Sequence, residues 1–173
     1  MRWLPFQLNP DLPESGIPRE EYVAQKFGAR GKGVYDRVTL AGRQVGIPFA
    51  YEKMKVQPNT LNAHRLMHYA ERLGKQDELA EELFRAHFTE GANLTDRETL
   101  ADVAGRSGIE RAAAAAFLAG DEGRELIEQA DAEARAAGIG GVPFFIFNRK
   151  GGVSGAQDAE VLLEAMEQAL SEG

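Results

Sequence analysis

The sequence predicts an α/β fold in which a block of helices is inserted into a small sheet-bearing core. Three observations carry that expectation. The chain opens with bulky apolar residues, Trp3, Phe6 and Leu8, in a short run closed by turn residues. From residue 59 to 137 apolar residues recur mostly at helical spacing. At 142–147 the pattern changes to a continuous apolar run, Val142-Pro143-Phe144-Phe145-Ile146-Phe147, short enough for a strand buried on both faces. The helical block therefore lies between segments that read as parts of one sheet. The expected organisation is a core of residues 1–58 and 138–173 with an all-helical insertion over 59–137.

Residues 1–8 read as a strand, ended by Asn9-Pro10-Asp11-Leu12-Pro13. Pro5 suits an edge position because it cannot donate to a ladder. Pro18 can open a helix at its first turn. A weaker helical pattern over 19–44 is interrupted by Gly28, Gly31 and Gly33, so two helices with a loose joint near 28–33 are expected. Asn59 is a good N-cap for a helix carrying Leu61, Leu66, Met67, Ala70 and Leu73, and Gly74 closes it. A second helix runs from about 76 to 89. Thr95 and Glu98 have capping-box spacing for a third, which ends near Gly105 and Gly108. Residues 112–119 form a short alanine-rich helix. Asp121 starts a longer one, stopped by Gly138. Beyond the apolar run, 148–152 reads as a hairpin turn leading to a brief strand around Val153. Ser154 and Gln157 form a second capping-box pattern, opening a final helix with Ala159, Leu162, Leu163, Met166 and Leu170 on one face.

Composition narrows the function. The 173 residues are 43% hydrophobic and 27% charged, which is ordinary globular usage. Twenty Lys+Arg against twenty-seven Asp+Glu leaves a net charge of −7. An acidic chain argues against bulk electrostatic binding to nucleic acid or to anionic lipid. No stretch approaches the roughly 18 apolar residues that span a bilayer. The opening Met1-Arg2-Trp3-Leu4-Pro5 has no apolar run before a small-residue cleavage site, so no secretory signal is read and a cytoplasmic location is expected. Cysteine is absent, which excludes disulfides, thiolate catalysis and cysteine-bound metal centres within these residues.

Four motifs resemble the DsbA-like branch of the thioredoxin superfamily, specifically its FrnE-type subfamily. They are Trp3-Leu4-Pro5-Phe6-Gln7-Leu8-Asn9-Pro10-Asp11, Pro58-Asn59-Thr60-Leu61-Asn62-Ala63-His64-Arg65-Leu66, Gly141-Val142-Pro143-Phe144-Phe145-Ile146-Phe147 and Val153-Ser154-Gly155-Ala156-Gln157. They stand in the family's order and span nearly the whole sequence. The resemblance implies a thioredoxin-like core carrying a helical insertion, and a bacterial enzyme that exchanges dithiols and disulfides. Its chemistry comes from a Cys-x-x-Cys pair at a helix N-terminus, where the dipole lowers the first thiol's pKa. In the family that pair precedes the strand that opens this chain. The expectation is therefore a fold lacking its first core strand, redox-inactive as given, with no catalytic residue of its own. Without that central strand, residues 1–8 and 143–147 would each expose unpaired backbone groups. Direct pairing of the two, or strand exchange in a homodimer, is the expected compensation.

The resemblance also makes Gly141-Val142-Pro143 a cis-proline loop that faces the redox pair. Val142 N–H and C=O would pair with an extended substrate, a small case of strand addition. The substrate implied is a thiol or disulfide, peptide or glutathione-like, and no cofactor is implied. The residues alone allow a blander reading, a proline that begins a buried strand. His64 belongs to the second motif, so a place near the same cleft is expected, alongside the reading of an ordinary helix histidine. His64 and His68 stand i, i+4 on one helix, but no third ligand is evident, and His87 falls on a different helix, so no metal site is assigned. Glu20-Glu21 and Glu81-Glu82 point about 100° apart on a helix and are not acid–base pairs. Gly31-Lys32-Gly33 and Lys150-Gly151-Gly152 lack the Lys-Ser/Thr ending of a phosphate loop. Phe144, Phe145 and Phe147 read as core, and Asn9 as a loop residue. Two further functions fit the fold: a glutathione-dependent isomerase or transferase using a serine in place of the first cysteine, and a non-catalytic peptide-binding module.

Overall fold

A computed structural model describes residues 1–31, 33 and 35–171. Lys32, the centre of the Gly31-Lys32-Gly33 tripeptide, lies outside the described residues. A two-residue strand β1 (Ile17–Pro18) pairs antiparallel with β2 (Val56–Gln57), Ile17 opposite Gln57. This ribbon has no counterpart in the sequence pattern. Gly16 makes it possible: its φ is 69°, and a Cβ there would lie 2.5 Å from the Gln57 carbonyl oxygen. Helix α1 (Arg19–Phe27) follows Pro18 directly. A 3-10 turn at Gly28–Gly31 then separates it from α2 (Asp36–Gln44), as the run of glycines implies.

The main core lies in four helices, α3 (Leu61–Arg72), α4 (Gln76–Arg85), α5 (Arg97–Arg106) and α6 (Arg111–Ala119), and α7 (Arg124–Ala136) buries Ile127 outside that cluster. Leu66, Leu79, Leu100, Val103 and Leu118 have no solvent exposure. Burying such a side chain stabilises the fold by about 1.5–3 kcal/mol each. The small faces of Ala63, Ala70, Ala101, Ala104 and Ala114 let these helices approach closely. Helix α4 runs into a π turn at Ala86–Glu90, closed by Gly91 at φ 74°.

Four helix starts differ from the sequence expectation. At α3, Thr60 and not Asn59 stands at the N-cap, while Asn59 Oδ1 accepts Leu61 N–H from one residue further out. Asp96, not Thr95, caps α5, accepting from Thr99 N–H at 3.1 Å. Thr95 is turned back onto Asn93 Oδ1, to which its own N–H and hydroxyl both donate. Helix α7 begins after Gly123 rather than at Asp121, which instead closes a turn by accepting from Arg124 N–H. The last helix, α8 (Ala159–Ser171), begins after Asp158, whose carbonyl accepts the first helical N–H groups. Gln157 is occupied elsewhere, its Nε2 donating to the Ser154 carbonyl at 2.9 Å.

Residues 1–8 form no strand, which corrects the sequence expectation. The segment lies against the helices, and side chains replace the ladder. Gln76 grips the Trp3 backbone at both ends: Oε1 accepts Trp3 N–H at 2.9 Å and Nε2 donates to Trp3 C=O at 3.0 Å. Asp131 and Arg135 do the same at Gln7. Asp131 Oδ1 accepts Gln7 N–H at 2.7 Å, and Arg135 donates to Gln7 C=O. Trp3 and Gln7 are four apart, so in an extended segment their amides face the same edge. Pro5, between them, needs no acceptor.

The last described unit consists of β3 (Phe144–Phe147), β4 (Gly151–Ser154) and α8. The strands form a hairpin with Phe145 opposite Val153. Asn148 and Arg149 take φ of 49° and 59° in its turn. Among the described residues β3 pairs only with β4, so neither the direct pairing with 1–8 nor a wider sheet is present. The expectation that β3 is buried on both faces is also corrected. Phe144, Phe145 and Phe147 are half-buried and Ile146 is 46% exposed, because a two-stranded hairpin under one helix leaves its other face uncovered.

Candidate functional site: the Val142-Pro143 loop and the His64 shelf

The loop before β3 is where the expected substrate-facing residues lie. Gly140 and Gly141 lead α7's exit into Val142 and Pro143, both exposed. The Val142-Pro143 peptide bond is cis. Pro143 C=O accepts Gly155 N–H at 2.9 Å, which extends the hairpin by one bond and anchors the loop to the end of β4. The Ser154-Gly155-Ala156-Gln157 motif thus supports the loop rather than capping a helix. Among the described residues, neither the N–H nor the C=O of Val142 has an intramolecular partner. An exposed residue with both backbone groups free can receive an extended peptide.

His64 lies on α3, where it meets the Phe6 backbone. Burial pushes its imidazole below the ordinary histidine value; a hydrogen bond with the Phe6 backbone and the charge of Asp131 oppose that fall. Asp131 therefore serves two groups, the Gln7 amide and His64. Arg135 donates its Nε to Asp131 Oδ2 at 2.8 Å and lies 4.5 Å from the Phe6 ring centroid. Together Phe6, Gln7, His64, Asp131 and Arg135 make a polar shelf under the opening segment. Gln7 is buried, and its Oε1 is a buried side-chain oxygen without a partner. No hydrogen bond or ion pair joins His64 to the Val142-Pro143 loop among the described residues.

The neighbouring Arg65 of the same motif has no solvent exposure. Its guanidinium donates to the carbonyls of Glu122, Phe117 and Gly120, at 2.8, 3.3 and 2.5 Å, and to Asn62 Oδ1 at 2.7 Å. These are carbonyls left open where α6 ends, so the Arg65 guanidinium caps the C-terminus of another helix. The Asn62-Ala63-His64-Arg65 string is thereby explained by architecture on both sides. Asn59 completes it: its Oδ1 accepts Leu61 N–H, and its Nδ2 ties down Leu12 C=O.

The remaining histidines take separate places. His68 approaches Glu71 at 3.9 Å. His87 is buried within the π turn, its ring edge-on to that of Phe88, and burial brings its pKa down to about 4. No group of three His, Asp or Glu side chains that could hold a metal occurs among the described residues. No helix among them is long and apolar enough to cross a membrane. Asp131, Arg135 and Gln76 were not singled out from sequence. Asp131 and Arg135 stand at ordinary i, i+4 helix spacing, and that spacing carries no sign that residue 7 lies above them.

The model of the DSBA-like thioredoxin domain matches residues 1–167. The protein belongs to that family. Its motifs at 3–11, 58–66, 141–147 and 153–157 all fall inside the matched region. A crystal structure of a probable DsbA oxidoreductase from Streptomyces coelicolor superposes with a TM-score of 0.87 at 28% identity. The match covers 97% of this protein and 74% of that one. No curated protein matches the sequence. The helix-rich DsbA-like thioredoxin fold expected from the motifs is therefore the fold of this protein.

Proposed function

We propose that this protein is a FrnE-type DsbA homologue that holds an extended thiol- or disulfide-bearing peptide at the Val142-Pro143 loop without exchanging disulfides itself. Membership of the family supports the substrate class. The observation that carries the site is the free N–H and C=O of the exposed Val142. The absence of cysteine supports the second half of the reading, because these 173 residues offer no thiolate to attack a disulfide. The family's Cys-x-x-Cys segment and its first core strand have no counterpart among them. We place the division between the family core and its helical insertion near residues 58 and 138.

Two assays test this reading. In dithiothreitol-driven insulin reduction, the protein should give no acceleration over reductant alone. In fluorescence anisotropy with a labelled extended peptide containing one cysteine, it should bind, and Val142→Pro should weaken binding about 3- to 10-fold. One lost neutral hydrogen bond is worth about 0.5–1.5 kcal/mol. Catalysed insulin reduction would overturn the redox-inactive reading. Unchanged binding by Val142→Pro would remove the loop from the site. Retention on immobilised glutathione without peptide binding would instead point to the isomerase or transferase chemistry of the same fold.

A further inference from the structure

The charge of this protein is unevenly distributed along its sequence. Residues 17–57 hold eight Lys and Arg against four Asp and Glu, a net charge of +4, and the other residues carry −11. The two parts also use their charges differently. From α3 onward, Arg72, Arg85, Arg106, Arg111, Arg124 and Arg135 each pair with a carboxylate. Within 17–57, Arg19, Lys26, Arg37, Arg43, Lys53 and Lys55 have no ion-pair partner among the described residues. Arg19 and Lys26 stand seven apart on one face of α1, and both lie over the Tyr22 ring, at 5.5 and 5.2 Å from its centroid. Arg19 also covers Tyr35, 4.9 Å from that centroid. Tyr35 stacks on Tyr51 at 4.4 Å, and Tyr51 on Phe49 at 5.4 Å. Arg19 N–H donates to the Lys55 carbonyl at 2.9 Å, which brings the exposed Lys55 to the same edge of this unit. Glu20 and Glu21 point about 100° and 200° away from Arg19 around the helix.

We propose that Arg19, Lys26 and Lys55 form a docking site for the carboxylates of a short acidic peptide segment. The charges and the rings together select that occupant. A guanidinium lying on tyrosine rings keeps its donor edge open, and Gln57 Oε1 occupies only part of it. The Tyr35 and Tyr51 hydroxyls have no hydrogen-bond partner among the described residues and can donate to the same carboxylates. Their rings are already covered, Tyr35 by Arg19 and Tyr51, and Tyr51 by Tyr35 and Phe49. That leaves these two rings no open face on which a nucleobase could stack. A long polyanion would also run past the −11 carried by the rest of the protein, whereas a short acidic segment meets only charges within about 8–10 Å. The inference depends neither on the redox reading nor on the Val142-Pro143 loop.

Fluorescence anisotropy with a labelled, cysteine-free peptide of alternating Glu and Gly tests it. At low salt that peptide should bind and its Gln counterpart should not, and binding should weaken as salt rises. Lys26→Gln combined with Lys55→Gln removes two exposed charges and should weaken binding about 10-fold or more, with unchanged far-ultraviolet dichroism. Arg97→Gln, at an exposed site on α5 without an ion-pair partner among the described residues, should leave binding unchanged. A Glu peptide that fails to bind at low salt overturns the proposal. So does unchanged binding in the double variant, or an equal loss in Arg97→Gln, which would reduce the effect to net charge. Tighter binding of a single-stranded oligonucleotide of equal charge would overturn it too, by assigning the surface to phosphates.

Discussion

At residue scale the buried polar side chains explain more of this protein than its exposed charges do. His87 is neutral in the folded state, its pKa brought down by burial to about 4 from an ordinary 6.5. Above pH 6.5 the imidazole is uncharged in both states. As pH falls through 6.5 the unfolded state takes up the proton first, so stability is lost until the folded pKa is reached. That loss amounts to about 3 kcal/mol. His64, lowered for the same reason, acts in the same direction. Urea titrations between pH 7.5 and pH 4 should show the decline, and His87→Gln should flatten it; an equally steep profile in the variant would assign it elsewhere. Arg65 offers a second prediction. Truncation to Ala leaves several carbonyls at the end of α6 unsatisfied and should cost about 3–5 kcal/mol in chemical denaturation, with Lys restoring little because it cannot fork.

At element scale, the opening segment is held by side chains standing in for a neighbouring strand. Asp131→Ala removes the acceptor of Gln7 N–H and uncouples Arg135 and His64 from it. Amide exchange at Gln7 should quicken about 10- to 100-fold, while exchange in α5 and α6 stays unchanged. A Gln7 amide with unaltered protection would show that Asp131 is not its anchor. A second element depends on glycine. Gly91 closes the π turn at φ 74°, and a Cβ there would come within 2.7 Å of the Lys53 backbone. Gly91→Ala should therefore lower stability by about 1–3 kcal/mol, read as a shifted urea midpoint with an unchanged slope.

For the molecule as a whole, stability is unevenly spread. The main buried cluster lies between Ala63 and Leu118, and β3, β4 and α8 contribute nothing to it. Hydrogen exchange should protect α3, α4, α5 and α6 most and residues 144–171 least. Equal protection of the two regions would overturn that expectation.

The sequence by itself determined the helices, the hairpin and the family. Periodicity, glycines and caps act locally, so α3, α4, α6 and the β3–β4 turn could be read to within a few residues. The absence of cysteine from these residues was likewise a matter of composition. Tertiary structure decided the rest. Whether residues 1–8 became a strand depended on a neighbour to hydrogen-bond with, and the groups that took that role, Gln76, Asp131 and Arg135, lie far along the sequence with ordinary helix spacing. The same holds for β3, whose apolar run encodes a tendency to be buried but not what covers it. Backbone pairing and burial are properties of two surfaces meeting, and a linear pattern specifies only one of them.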